Sequence, residues 1–390
     1  MKRIYWRPQK VSRNALLGIA CCALAALALV EYLPTHAQQG GYDTRIAAAH
    51  LAARAFAAIR DERLQRGLPI DPELDPCHSG LIGDAASPVT SVPGHLDAKR
   101  ASINPNFAAV IVELLWAAGV KEGDVVAVGC SGSFPALNAA TFAALETLQV
   151  RPVVISSASA SQYGANLPEF VWLDMERVLY DQDLISFQSV ASSLGGVEDT
   201  GARMSEEAVA MLKDSIARNG VALLEVESFQ DAINKRMRLY GAEAAGAPIK
   251  AYINIGGGTV SVGKEAGKHE YTEGLSFTAP LDALAIDSVM TRFIKAGTPV
   301  IHMINVRRMA RGYGFPLWPT EIPPVGQGNV FVRPEYNRYL AAVLFGLLLV
   351  LLRAYVLTGL GYRLSQLFTF GRGSAPTAPT AVSGAPELMV

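Results

Sequence analysis

Between residues 125 and 305, five short apolar runs alternate with stretches of helical period, and this alternation constrains the fold more than any other feature. The runs cover residues 125–129 (Val-Val-Ala-Val-Gly), 152–156, 220–226, 249–255 and 299–305. Helical stretches at 134–148, 205–218 and 229–240 separate them, and another at 105–119 precedes the first. Proline near the first turn opens the helix at 134, and Ser205-Glu-Glu puts acids at the positive end of the next. A strand that is apolar throughout is covered on both faces, and crossover helices supply that cover. The expected fold is α/β with a mostly parallel sheet.

Such a sheet binds ligands beyond the carboxyl ends of its strands. Three loops of small residues fall at that edge, at residues 130–133, 156–161 and 256–259. They supply the candidate anion-binding residues Ser131, Gly132, Ser133, Ser157, Ser159, Gly256, Gly257, Gly258 and Thr259. Two compact basic groups, Lys99 with Arg100 and Arg307-Arg308-Met-Ala-Arg311, are the candidate contacts to an acidic polymer. The glycine turn at 256–259 is similar to the phosphate-binding turns of actin-like ATPases, and it also serves simply as a tight turn with backbone open to an anion.

Apolar stretches stand at both ends. Residues 14–30 are uncharged behind a basic start (Lys2, Arg3, Arg7, Lys10, Arg13), and 339–352 are apolar up to Arg353. Both are expected to cross a bilayer, the second counted through Leu360. A cleaved signal peptide rivals the first reading, and a buried amphipathic helix the second. The expected layout is a cytoplasmic basic segment at 1–13, a transmembrane helix at 14–33 and an extracytoplasmic α/β domain at 34–337. A second transmembrane helix at 338–361 and a cytoplasmic disordered tail at 362–390 complete it. This is a two-pass cell-membrane protein with both termini inside.

Charge and cysteine usage exclude several functions. Lys+Arg 34 against Asp+Glu 35 argues against nucleic acid as a partner. An extracytoplasmic domain has no routine ATP or NADH, so no cofactor is expected. Cys77 and Cys130 are the pair available for a disulfide in an oxidising compartment. There is no His-Glu-x-x-His and no Cys-x-x-Cys, so no metal is expected.

The sequence around Ser131, Gly-Cys-Ser-Gly-Ser on a strand-to-helix turn, approaches a nucleophile elbow but has Ser133 where the pattern needs glycine. Ser131 is therefore a candidate nucleophile, an anion-binding hydroxyl, or a helix cap. His78 in the long loop at 71–94 and His302 in the last strand are the candidate bases. No acidic orienter follows from sequence.

The order of several motifs resembles the poly-gamma-glutamate system protein family. The matching stretches are Leu96-Asp-Ala-Lys-Arg-Ala-Ser-Ile-Asn-Pro-Asn106, residues 117–135, Tyr252-Ile-Asn-Ile-Gly-Gly-Gly-Thr259, and residues 301–316. The resemblance implies a membrane-anchored accessory component of poly-γ-glutamate synthesis or export, with poly-γ-glutamate or a related acidic polymer, the membrane and other subunits of that machinery as partners. It supplies no catalytic residue. The chain lacks a Gly-x-x-x-x-Gly-Lys-Ser/Thr loop, so the ATP-dependent ligation is not expected of it. Two other readings stand beside it: an extracytoplasmic serine hydrolase or transferase acting on a γ-glutamyl or ester bond, and a scaffold for a membrane complex.

Overall fold

The computed structural model describes residues 13–358 except 265, 266, 268 and 269. The chain divides into two compact units, Gln38–Arg333 and a terminal unit made of the residues before and after it. The expected basic segment at the start and the tail from 362 lie outside the described residues, apart from Arg13.

In the terminal unit, helices Arg13–Tyr32 and Arg338–Thr358 pack on each other, with Cys22, Ala25 and Leu29 facing Leu344, Leu347 and Leu351. Their remaining apolar side chains, among them Leu17, Leu24, Phe345 and Val350, are exposed. Among the described residues no helix is long and apolar enough to cross a membrane. This corrects the expected pair of transmembrane helices and the two-pass location built on them. The reason lies in the length of uninterrupted apolar chain. At 1.5 Å per residue the uncharged run 14–30 rises about 25 Å and the run 339–352 about 21 Å, against a hydrocarbon thickness of about 30 Å. Counting through Arg353 had made the second run look longer than its apolar part.

The larger unit is built on a seven-stranded sheet. In chain order its strands are β1 (Val125–Ser131), β2 (Arg151–Ser157), β3 (Ala191–Ser193), β4 (Ala222–Leu223), β5 (Ile249–Ile255), β6 (Gly274–Ser276) and β7 (Val300–Met303). They lie side by side in the order β6-β7-β5-β1-β2-β3-β4. Every neighbouring pair is parallel except β6 with β7 at one edge. The mostly parallel α/β architecture expected from the sequence is the one observed.

Period-two alternation along the central strands makes two cores. Val126, Val128, Val154 and Ile253 face one core, while Val125, Ala127, Ile155 and Tyr252 face the other. On the first side lie α1 (Tyr42–Gln65), α3 (Phe107–Ala117) and α4 (Pro135–Thr147), joined by α5 (Trp172–Asp181). Between α1 and α3 the chain makes the short helix α2 (Leu96–Ser102). α1 packs on α3 and α4 through alanines, Ala48, Ala49, Ala52 and Ala55, whose small size lets helix backbones approach. On the second side lie α7 (Phe229–Glu243) and α8 (Val289–Lys295), after α6 (Glu206–Arg218), whose Ser205 cap accepts from the Ala208 amide at 3.1 Å. α9 (Val306–Tyr313) follows β7 and packs against α2.

The chain leaves β1 for β2 on one side, and β5 later takes the other side of β1. Beyond the carboxyl ends of β1 and β5 the crossovers therefore depart in opposite directions and leave a crevice. The loops 131–133 and 256–259 end these two strands, and the site lies there.

Candidate functional site

A cleft of about 1170 Å³ opens at that switch point. Ser131 and Ser133 line it after β1, and Ser157, Ser159 and Ser161 after β2. The loop after β3 adds residues 195–199, and Gly257, Gly258 and Thr259 follow β5. α9 contributes Arg307, Arg308 and Arg311, and α2 contributes Lys99. The three small-residue loops singled out in the sequence thus converge on one cleft, although Gly132 and Gly256 shape it rather than line it. A Cβ on Gly132 would come 2.9 Å from the Ser159 carbonyl oxygen, so only glycine lets the β1–α4 turn seat against that segment. Gly256 turns the chain at φ 91°, where a side chain would be strained.

The turn after β1 offers an anion fewer backbone donors than its sequence suggests. The Ser133 amide donates to Ser131 Oγ at 3.2 Å, the Phe134 amide lies 3.4 Å from the Ser131 carbonyl, and Pro135 has no N–H. Ser131 ends β1 with none of the left-handed backbone strain of a nucleophile elbow. The other glycine turn is more open: Gly257 makes no hydrogen bond among the described residues.

Cationic side chains set the electrostatics. Seven line the cleft (Lys99, Arg203, Arg236, Lys264, Arg307, Arg308 and Arg311) against three acids, Glu198, Asp199 and Glu273. Arg308 pairs with Glu273 at 2.7 Å, Lys264 with Glu198 at 2.9 Å, and Arg307 with Asp97 on α2. Arg236 reaches from α7 to Asp199 through Nε at 2.9 Å and Nη2 at 2.5 Å, both side chains being buried. Burial opposes that charge, but Asp199 and the nearby phenols of Tyr240 and Tyr252 hold the guanidinium above its ordinary pKa. Among the described residues no carboxylate pairs with Lys99, Arg203 or Arg311. The Ser159 hydroxyl, on a residue only 2% exposed, has no partner either.

Lys99 and Arg100 were candidates together, and the helix separates them. Successive residues on a helix point about 100° apart. Lys99 turns into the cleft, while Arg100 donates to the Leu74 carbonyl at 3.0 Å and to that of Glu73, away from the cleft. His78 is exposed in the loop after α1 and is not at the cleft. His302 is 1% exposed within β7, and its Nδ1 accepts from Asn254 Nδ2 at 3.0 Å. Burial pushes its imidazole down to about 4, with Asn254 and Glu273 acting in the opposite sense, so it is neutral at physiological pH. It positions Asn254, which lines the cleft, and does not itself line it. Neither candidate base is therefore brought to Ser131. Cys77 and Cys130 are both free thiols, Cys77 donating to the Pro319 carbonyl and Cys130 buried in β1. Among the described residues His, Cys, Asp and Glu form no group of three that could hold a metal ion.

Sequence reasoning missed Arg203, Arg236, Asp199 and Lys264, and it placed Ser161 only as the end of the loop 156–161. Asp199 sits in a Gly-Gly-x-Glu-Asp turn after a serine-rich strand, and that glycine pair was the available signal. Arg236 carried none, being one basic residue among several on a polar helix. No family model, curated protein or solved structure matches the chain.

Proposed function

We propose that this cleft binds a polycarboxylate chain, poly-γ-glutamate or a related acidic polymer, and that the protein acts as an accessory component of the synthesis or export of such a polymer. One observation carries the reading: cations outnumber acids around a large cleft at the sheet's switch point. Arg203 and Arg311 lack a carboxylate of their own among the described residues, so the cleft is short of the negative charge that a carboxylate chain supplies. The Ser159 hydroxyl and the Gly257 amide add neutral donors, as a chain of carboxylates and amides would require. The motif order shared with the poly-gamma-glutamate system proteins supports the choice of polymer.

Calorimetric titration of the full-length protein with poly-γ-glutamate at two salt concentrations tests this. Binding is expected to weaken as salt rises, because exposed charges are screened beyond about 8–10 Å at these ionic strengths. Replacing both Arg203 and Arg311 with glutamine should weaken binding roughly five- to thirtyfold, at about 0.5–1 kcal/mol per exposed charge. Replacing Arg307 and Arg308 should cost less, because Asp97 and Glu273 already neutralise them. Equal affinity for a neutral polymer, or no dependence on salt, would overturn the reading.

A further inference from the structure

The cleft contains a second kind of chemistry that a binding site does not need. We propose that Ser161 is a nucleophile and Lys99 its general base, forming a serine–lysine pair that transfers the acyl group of an amide or ester to water. The nucleophile and base are argued from their own geometry. Only the substrate class, an acyl group within an anionic chain, rests on the polyanion reading.

Lys99 enters the cleft wall from α2 and is 3% exposed. Its Nζ lies 2.9 Å from Ser161 Oγ and also donates to the Ser133 carbonyl oxygen. A carbonyl can only accept, which fixes one Nζ–H and aims the amine. As an ammonium, Nζ donates to the serine hydroxyl; as a free amine it has one lone pair, and Ser161 Oγ–H is the donor placed to fill it. Ser161 is held in turn: its own amide donates to Ser133 Oγ at 3.0 Å, and the segment Ala160–Ser161 pairs with Thr90–Val92. Gly94 lets the chain pass close to the hydroxyl, since a Cβ there would lie 2.4 Å from the Gln162 carbonyl oxygen and 3.1 Å from Ser161 Oγ.

Burial alone pushes the Lys99 amine down to about 7, so a large fraction is unprotonated at neutral pH. The Phe134 ring, its centroid 3.8 Å from Nζ, favours the charged form. The other charged groups around it are occupied elsewhere. On α2, Asp97 pairs with Arg307 and Arg100 binds the Leu74 and Glu73 carbonyls; on α9, Arg308 pairs with Glu273. Tyr313 on α9 donates to Glu113 and Glu146 on α4 accepts from Ser186, while Arg311 on α9 and the exposed His95 before α2 complete the charged and titratable groups on these helices.

The step balances without a cofactor. Nζ takes the Oγ proton as the Oγ–carbon bond forms at the carbonyl, and collapse breaks the bond to nitrogen or oxygen while Nζ–H protonates the leaving amine or alcohol. Water then gives a proton to Nζ and adds to the acyl carbon. The Oγ–carbon bond breaks, the proton returns to Ser161, and a carboxylic acid is released.

A fluorophosphonate tests the pair directly. Its phosphorus forms a bond to Oγ as fluoride leaves, and it carries no polymer requirement. On the full-length protein, labelling should map to Ser161 by peptide mass, rise with pH through an inflection near 7, and disappear in Ser161→Ala. Lys99→Met should slow it at least a hundredfold, within the usual range for loss of a general base. If that variant does not fold, the wild-type pH profile decides, because a flat profile removes the base. No label, a label elsewhere, or an unchanged rate in folded Lys99→Met overturns the proposal. Labelling at Ser161 that poly-γ-glutamate fails to block would keep the pair and discard the polymer.

Discussion

Replacing Asp199 with asparagine is expected to lower the unfolding free energy by about 3–5 kcal/mol, the cost of leaving a buried charge without its partner. Asparagine preserves shape and tolerates the left-handed backbone found here, at φ 68°, so the substitution isolates the charge. Arg236 and Asp199 are 5% and 7% exposed at their side chains, and the pair is embedded in further hydrogen bonds. Ser193 Oγ donates to Asp199 Oδ1 at 2.6 Å, and Arg236 Nη2 donates to Ser193 Oγ at 2.8 Å. Once the carboxylate is gone, burial pushes against the arginine charge without its principal counterweight.

Arg236→Met should be similarly costly, because it strands the carboxylate on serine hydroxyls alone. The double substitution should cost less than the sum of the two, by roughly 1–3 kcal/mol, since it removes both charges at once. Urea denaturation followed by tryptophan fluorescence reads all three. Single substitutions costing under about 1 kcal/mol would mean that the pair does not hold the loop after β3. The pair also links stability to the cleft. Glu198 and Asp199 both adopt left-handed backbone, and the Glu198 amide donates to Thr259 Oγ1 at 3.1 Å across the mouth. Polymer affinity should fall in the same variants.

The sheet was legible because its central strands are buried on both faces and so read as unbroken apolar runs. Residues 125–129 and 249–255 needed no tertiary information to be recognised as strands of a mostly parallel sheet, although their pairing with each other came only from the fold. β3 did not show in the sequence because Ala-Ser-Ser at 191–193 carries no apolar signature; Ser192 and Ser193 are buried with their hydroxyls satisfied inside the protein. The edge of the site was legible for the same reason as the strands, since small residues cluster where strands end. Its charged walls were not. Asp199 and Arg236 are 37 residues apart and meet only through the packing of α7 on the sheet. Adjacent lysine and arginine at 99 and 100 look equivalent in sequence, yet a helical turn of about 100° places one in the cleft and the other outside it. A fully buried lysine is rare enough that composition points away from it. The terminal runs misled in the opposite direction, because counting residues through an arginine measures length and overlooks the interruption.

Glu176 is expected to make stability fall as pH rises through the neutral range. It lies in α5, 1% exposed, and accepts from Ser189 Oγ at 2.8 Å and from the Ser189 amide, with no cation opposite among the described residues. Burial raises its carboxyl from an ordinary 4.5 to about 7, against the lowering effect of those hydrogen bonds. The folded chain therefore holds this proton more tightly than the unfolded chain does. Its contribution favours folding below the unfolded value, declines as pH rises from about 4.5 to 7, and is gone above that. At about 1.4 kcal/mol per pH unit, the loss between pH 5 and pH 8 is about 2–3 kcal/mol. Glu176→Gln keeps one acceptor for Ser189 and cannot ionise, so its denaturation midpoint should lack this decline with rising pH. The variant should be less stable than wild type at pH 5, or equal to it, and gain on it by about 2–3 kcal/mol at pH 8. The variants of Asp199 and Arg236 should retain this slope, because Glu176 titrates in a different part of the core. Parallel pH profiles for wild type and Glu176→Gln would show that the carboxyl ionises in the folded protein at its ordinary pH, and that Ser189 alone compensates its burial.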